Sequence, residues 1–194
     1  GEDSNIGIEI VTEGLSAGTG SVSLNATSGD VKLSSSIVTD GSGTIAVSSS
    51  RDIVLDNSSS DITSGGGDIT FTADSDANGT GVFNQSNSGS VITTFNAAGS
   101  GDVTINASDI TVNGIINADD GTVFLKNSTV GRTFGLGSAA GDISISSFEA
   151  SRVWADTLEI GTATAGNIQA DGFISDPTYL VLRTGNDVLG TGVG

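Results

Sequence analysis

Aspartates that open short β-branched segments recur along the chain and are the first candidates for chemistry. They are Asp30, Asp52, Asp68, Asp102, Asp109 and Asp142. Asp68 and Asp102 fall in consecutive repeats, and two facing carboxylates could supply the acid and the base of glycoside cleavage. The alternative is an Asx turn, in which each carboxylate accepts a backbone N–H at a corner. The recurrence favours the turn, because an active site is expected only once, so we predict no catalytic residue.

The segment DSDANGT (74–80) matches the first half of a calcium loop. Side chains with oxygen atoms alternate before a glycine bend at Gly79, as a hard cation requires. The candidate metal ligands are Asp74, Asp76, Asn78 and Thr80. The match then ends, because its twelfth position is Gln85 rather than a bidentate glutamate. The segment therefore predicts either a weak calcium site or an exposed polar loop, and no cofactor is expected to be required.

The single tryptophan and the single tyrosine, Trp154 and Tyr179, could each stack on a sugar ring. Aromatic residues are only 5% of the chain, and large aromatics in such a chain are also expected in the core or as caps. We expect Trp154, Phe173 and Tyr179 to give the C-terminal end the thickest packing. The chain has no His, Cys or Met, which removes imidazole and thiolate chemistry and the Ser-His-Asp triad.

A repeated motif predicts the short β-strands that position these residues. The motif is a glycine, a polar residue and then an alternating β-branched triplet. Copies begin at Gly20, Gly43, Gly67, Gly101, Gly121 and Gly141, which are 23, 24, 34, 20 and 20 residues apart. Repeats of this length indicate stacked coils that share one core. We therefore predict an all-β fold, a single-stranded right-handed parallel β-helix (β-solenoid) of about eight coils of roughly 20–24 residues.

Alternation fixes which side chains should face the core. In GDVTI (101–105), Val103 and Ile105 are expected inside and Thr104 outside. The residues expected to stack with Val103 in other coils are Ile45, Ile69, Val123 and Ile143.

The 34-residue interval predicts an inserted loop, which we place at residues 72–90. Residues 1–194 are treated as a single β-solenoid domain. Because Gly1 falls in mid-pattern, we expect this domain to be a fragment of a much longer protein.

The charge excludes some partners. With 23 acidic and 6 basic residues the formal net charge is −17. A nucleic-acid backbone and an anionic membrane surface would both be repelled. No apolar run is long enough to cross a bilayer. We therefore expect no nucleic-acid partner and no membrane insertion of this segment.

Two stretches, GDVTINASDITVNGIINADDGTVFL (101–125) and ADTLEIGTATAGNIQADGFIS (155–175), resemble the β-helical repeats of filamentous-haemagglutinin-type bacterial adhesins. The resemblance implies a non-enzymatic adhesive rod in a large repetitive protein, extracellular or on the bacterial cell surface. It implies as partners another cell surface or a glycan, and the flanking repeats of the parent chain. Two alternatives stay open: a polysaccharide-active β-solenoid enzyme, and a carbohydrate-binding module that uses Trp154 or Tyr179.

Overall fold

The regular secondary structure is almost all β-strand, which makes up 51% of the computed structural model against 2% helix. Residues 6–96, 99–173 and 175–190 are described. The strands of the first half are β1 (Ile6–Ile10), β2 (Leu15–Ser16), β3 (Val22–Ala26), β4 (Asp30–Leu33), β5 (Ile37–Thr39), β6 (Ile45–Ser49), β7 (Ile53–Leu55), β8 (Ile62–Ser64), β9 (Ile69–Thr72), β10 (Val82–Gln85), β11 (Val91–Thr93), β12 (Phe95–Asn96) and β13 (Gly99–Ser100).

The second half has longer strands and a short helix. They are β14 (Val103–Ala107), β15 (Asp109–Val112), β16 (Ile115–Asn127), β17 (Phe134–Gly137), β18 (Ile143–Ile145), α1 (Ser147–Ala150), β19 (Val153–Gly161), β20 (Ile168–Asp171), β21 (Tyr179–Arg183) and β22 (Val188–Gly190).

Parallel pairing stacks most of these strands into columns. The first column is β1–β4–β7–β10–β15, the second is β2–β5–β8–β11–β16, and the third is β3–β6–β9–β14–β16–β19–β21. β16 belongs to two columns because it turns a corner at Asp119, whose φ is 46°. Neighbours within a column come from successive repeats, so the parallel sheet curls around a shared interior. The all-β class and the parallel pairing predicted from the repeat are confirmed.

The core is a set of aliphatic ladders. In the third column Ile45 pairs with Ile69, Ile69 with Val103, and Val103 with Val123. All four side chains are fully buried. Thr104, between Val103 and the buried Ile105, is partly exposed. The alternation predicted for GDVTI is therefore confirmed, and each short strand gains its stability from the strands above and below.

Glycine at the head of four successive repeats is a packing requirement. A Cβ on Gly67 would meet the carbonyl oxygen of Gly43, a Cβ on Gly101 would meet Gly67, and a Cβ on Gly121 would meet Gly101. The backbones of neighbouring repeats thus approach too closely at this corner for any side chain. We call this set, Gly43, Gly67, Gly101 and Gly121, the glycine ladder.

Buried hydroxyls line the same corner. The Oγ1 of Thr39 donates to the carbonyl of Gly43 at 2.8 Å, and the Oγ1 of Thr94 donates to that of Gly101 at 2.7 Å. Ser64 makes the equivalent bond to Gly67. Three of the four ladder glycines, Gly43, Gly67 and Gly101, therefore have their carbonyls satisfied by a hydroxyl of their own repeat, as a buried polar group requires.

Ile143 does not continue the Val103 ladder, so that part of the predicted column is wrong. The residue above Val123 is Leu158 of β19, and Leu180 of β21 follows it. Ile143 is buried but pairs with Phe134, in a separate parallel sheet of order β18–β17–β20–β22.

The cause is a tight return between β17 and β18. Residues 139–141 cross directly over Gly135, where a Cβ would meet the carbonyl of Ala139. This brings β18 back beside β17 in parallel after only five connecting residues, 138–142. β18 thereby leaves the third column, and α1 and β19 complete the repeat.

The extra residues of the 34-residue interval fall in two places, only the first of which lies within the predicted insertion at 72–90. The chain leaves the sheet after Thr72 but returns at β10, which pairs with β7 and β15. The remaining extra residues lie after β11, where β12 and β13 form an antiparallel pair. Between these two strands, residues 97 and 98 lie outside the described part of the chain.

Candidate functional site

Four of the recurring aspartates, and Asp61 at the start of the segment DIT (61–63), accept hydrogen bonds from the next repeat. The bonds run from the N–H of Val82 to Asp52, of Val91 to Asp61, of Asp102 to Asp68 and of Thr122 to Asp102, at 2.8–2.9 Å. Asp30 accepts a longer bond of 3.3 Å from the N–H of Asp52 and pairs with Arg51. The aspartates therefore satisfy backbone N–H groups, as the turn interpretation predicts, but those groups belong to the following repeat.

Asp109 and Asp142 have different surroundings. Asp109 accepts the N–H of Ile110 at 2.9 Å, and burial raises the pKa of its carboxyl. Asp142 accepts both the N–H and the hydroxyl of Thr133, each at 2.9 Å, and these bonds lower the pKa of Asp142. Asp142 thus holds together the β17–β18 return rather than a contact between regular repeats.

The pair considered for glycoside cleavage, Asp68 and Asp102, does lie in neighbouring repeats. However, Asp102 gives its N–H to Asp68 and accepts the N–H of Thr122. Both carboxylates are engaged with the backbone. Across the described residues, no three acidic side chains gather into a group able to hold a metal ion.

The 74–80 loop folds down onto a later part of the chain through Asp74. This side chain is 1% exposed and accepts the N–H of Gly79 at 3.0 Å and the hydroxyls of Ser128 and Thr129 at 2.6 and 3.1 Å. Burial acts to raise the pKa of Asp74, but these hydrogen bonds outweigh it and hold the pKa below its ordinary value. Arg132 completes the contact by donating to the carbonyl of Gly79 at 2.5 Å.

The other predicted calcium ligands bond to one another. The amide of Asn78 donates to Asp76 at 2.8 Å, and its oxygen accepts both the N–H and the hydroxyl of Thr80. Gln85, the twelfth position of the motif, is fully buried in β10. A calcium ion on Asp74 would have to displace hydrogen-bond donors that are already in place. In this conformation the loop fits an anchor between repeats better than a calcium site.

Trp154 and Tyr179 are 51% and 60% exposed, so the expectation that they lie in the core is wrong. Phe173 is partly buried against the core. The exposure of Trp154 follows from alternation in β19, because Val153 is buried and its neighbour must then lie on the outer face. Trp154 stands next to Asn117 of the preceding repeat.

A small cleft opens beside Trp154, with a volume of about 310 Å³. Its polar lining is Asn117, Asp119 and Asp176. Asp119 is followed by Asp120, and because adjacent residues of a strand face opposite sides, the sequence predicts only turn chemistry for this pair. The sequence assigns no role to Asp176. Only the irregular turn of β16 and the segment that follows β20 bring these residues to Trp154.

A larger polar groove of about 690 Å³ lies on another side of the stack, between the 74–80 loop and the first two repeats. Hydroxyl and amide side chains line it, together with Arg51 and Asp76. No aromatic side chain contributes to this groove.

Comparisons of the chain with protein-family models, with curated proteins and with solved structures find no match. In the part of the chain that the structure describes, no helix has the length and apolar character needed to span a membrane. Function must therefore be argued from the residues and their geometry.

Proposed function

We propose that this chain is a right-handed parallel β-helix of about eight coils, and that it acts as a non-enzymatic structural and adhesive segment. By its resemblance to filamentous-haemagglutinin-type repeats, it would belong to a large bacterial protein, secreted or on the cell surface. In this role it spaces or presents a surface that contacts another cell or a glycan, with the parent's flanking repeats continuing the stack.

One observation carries the proposal: the repeated polar residues are used to build the stack. Aspartates such as Asp68 and Asp102 bind backbone N–H groups of the next repeat, and buried hydroxyls such as Thr39 bind backbone carbonyls. A side chain that makes the same kind of backbone hydrogen bond in successive repeats has a structural role in those repeats. A rod built in this way would suit a spacer and a contact surface.

The test is a cell-binding assay with the isolated chain, run beside turnover assays on acidic and neutral polysaccharides. We expect saturable binding to a target surface and no cleavage. Reproducible cleavage that Asp68→Asn abolishes, in a variant that keeps its strand content, would replace this proposal with a polysaccharide-active enzyme.

A carbohydrate-binding module is the second candidate, and the exposure of Trp154 favours it. An exposed indole beside Asn117 offers a stacking face and a hydrogen-bonding amide. Loss of cell binding in Trp154→Ala but not in Tyr179→Ala would assign the adhesive contact to this module-like cleft.

A further inference from the structure

The cleft beside Trp154 has the size of a small ligand and a defined chemistry. Its volume of about 310 Å³ lies at the lower end of ligand pockets in proteins, which suits a single ring or a short organic molecule. The indole forms one wall, and the carboxylates of Asp119 and Asp176 contribute to the lining. Pro177 adds an apolar side chain to the lining of the cleft, and Asn117 adds an amide.

The two carboxylates carry negative charge that the described residues do not neutralise. Neither Asp119 nor Asp176 has an ion pair, or a hydrogen bond to its carboxylate, within the described parts of the chain. The basic residue nearest to Trp154 in sequence, Arg152, places its guanidinium over the ring of Phe148 at 4.8 Å.

The remaining basic side chains are also engaged away from the cleft. Lys32 pairs with Glu9 and Asp56, Arg51 with Asp30, and Arg183 with Glu159, while Lys126 lies over Phe124 and Arg132 donates to Gly79. These five and Arg152 are all six basic residues of the chain. The cleft therefore keeps its negative potential in the folded protein.

Two other grooves of the protein differ from the cleft beside Trp154, because basic residues line them. The groove near the 74–80 loop contains Arg51, and a third groove of about 400 Å³ contains Lys126 and Arg183. The cleft beside Trp154 has no basic residue in its lining. An aromatic face with uncompensated carboxylates is the arrangement that attracts an organic cation, because the face of an indole is itself electronegative.

We propose that the Trp154 cleft binds a small organic cation that carries a primary or quaternary ammonium group. The ammonium lies over the indole face, Asp119 and Asp176 balance its charge, and Asn117 bonds a neutral polar group of the same ligand. The binding stands on these residues alone and holds whether or not the chain serves in adhesion.

The two carboxylates favour a cation over a neutral sugar, and the indole disfavours a bare metal ion. A neutral ring could accept hydrogen bonds from Asn117 and donate them to Asp119 and Asp176, but it would gain no attraction from their net charge. A hard divalent ion prefers several oxygen ligands, and no acidic group of three or more gathers in the described residues. An ammonium ligand uses both features of the cleft at once.

The single tryptophan makes the test direct, because intrinsic indole fluorescence reports on Trp154 alone. We expect choline chloride to change this fluorescence saturably, with half-saturation on the order of millimolar as for one weak site. Sodium chloride at the same concentrations and glucose should give no saturable change. Equal responses to choline and glucose, or no saturable response to choline, would overturn the proposal.

Variants locate the ligand. Asp119→Asn and Asp176→Asn should each weaken choline binding by roughly two- to fivefold, as expected for exposed charge partners. Glu13→Gln removes the same charge from an exposed position elsewhere and should leave the affinity unchanged. Choline binding to Trp154→Leu, followed by ligand-observed NMR, should be lost while the melting temperature stays the same. Undiminished binding in Trp154→Leu or in the double Asp119→Asn, Asp176→Asn variant would refute the assignment.

Discussion

At the scale of single residues, Val103 and Thr104 are adjacent but have opposite surroundings. Val103 is fully buried in the third column, and Thr104 is partly exposed. We expect Val103→Asp to lose several kcal/mol of stability, because it places a carboxylate without a partner in an apolar core. Thr104→Asp should cost far less. Thermal unfolding of both variants checks this, and equal melting temperatures would show that the register is wrong.

Asp74 gives a pH-dependent prediction at the same scale. Its folded pKa is below the ordinary value of 3.8 because of its hydrogen-bond donors. Its contribution to stability is therefore complete above pH 3.8 and is lost as the pH falls through the folded pKa. At pH 7 we expect Asp74→Asn to destabilise the protein by about 2 kcal/mol, the usual worth of hydrogen bonds to a charged group. The difference from the parent should shrink in acid.

Asp109 is the matched control because its pKa moves in the opposite direction. Burial raises the pKa of Asp109 above its ordinary value of 3.8. At a pH above 3.8 the ionised carboxylate therefore destabilises the folded state. Asp109→Asn should therefore be neutral or slightly stabilising at pH 7, since the amide oxygen can still accept the N–H of Ile110. Chemical denaturation of both variants between pH 3 and 7 measures the contrast. A destabilisation of Asp109→Asn at pH 7 as large as that of Asp74→Asn would contradict it.

Part of the candidate site could be predicted from the sequence, and part could not. The recurrence of the aspartates predicts a structural role for them, but the predicted Asx turn is local, and the bonds from Asp68 and Asp102 to the next repeat were not predicted. The exposure of Trp154 followed from alternation with Val153, but the scarcity of aromatics argued for a buried position. The approach of Asp176 to Trp154 depends on how an irregular segment crosses the stack, and no local pattern encodes that path.

At the scale of elements, the glycine that opens each repeat predicts a sharp contrast between two alanine substitutions. Gly67→Ala would push a methyl group into the backbone of Gly43, so we expect a loss of about 1–3 kcal/mol from overpacking. Gly20 opens the first such repeat, and a Cβ there would come no closer than 3.1 Å to the carbonyl of Ala17. Gly20→Ala should therefore cost clearly less than Gly67→Ala. Similar melting temperatures for the two variants would contradict the claim that close packing requires glycine in the glycine ladder.

The columns could be predicted from the sequence wherever the repeat was regular. From Ile45 to Val123 the same motif lies at the same place in the sheet, and period and alternation agree. At Ile143 the motif is intact but the strand pairs with β17. The difference lies in Gly135, which lets the chain cross over itself, and in the length of β19. Local sequence signals a strand, but only tertiary packing decides which strand it joins.

At the scale of the whole molecule, the net charge of −17 predicts how cations affect stability. Divalent cations should screen the repulsion among stacked carboxylates and raise the melting temperature. Because the donors around Asp74 already occupy its carboxylate, we expect calcium and magnesium to act alike. Melting temperatures at matched millimolar concentrations check this, with Asp76→Ala as the control. A rise specific to calcium that disappears in Asp76→Ala would restore the calcium site of the 74–80 loop.

The central claim is that the repeated aspartates join successive repeats instead of carrying out chemistry, and amide hydrogen exchange at Thr122 tests it most directly. The N–H of Thr122 donates to Asp102 at 2.8 Å, whereas the N–H of Ile116 donates to a backbone carbonyl and serves as reference. In Asp102→Ala the exchange of Thr122 should accelerate relative to that of Ile116. In Asp102→Asn, whose amide oxygen still accepts the bond, Thr122 should stay protected. Unchanged protection of Thr122 in Asp102→Ala would contradict the account.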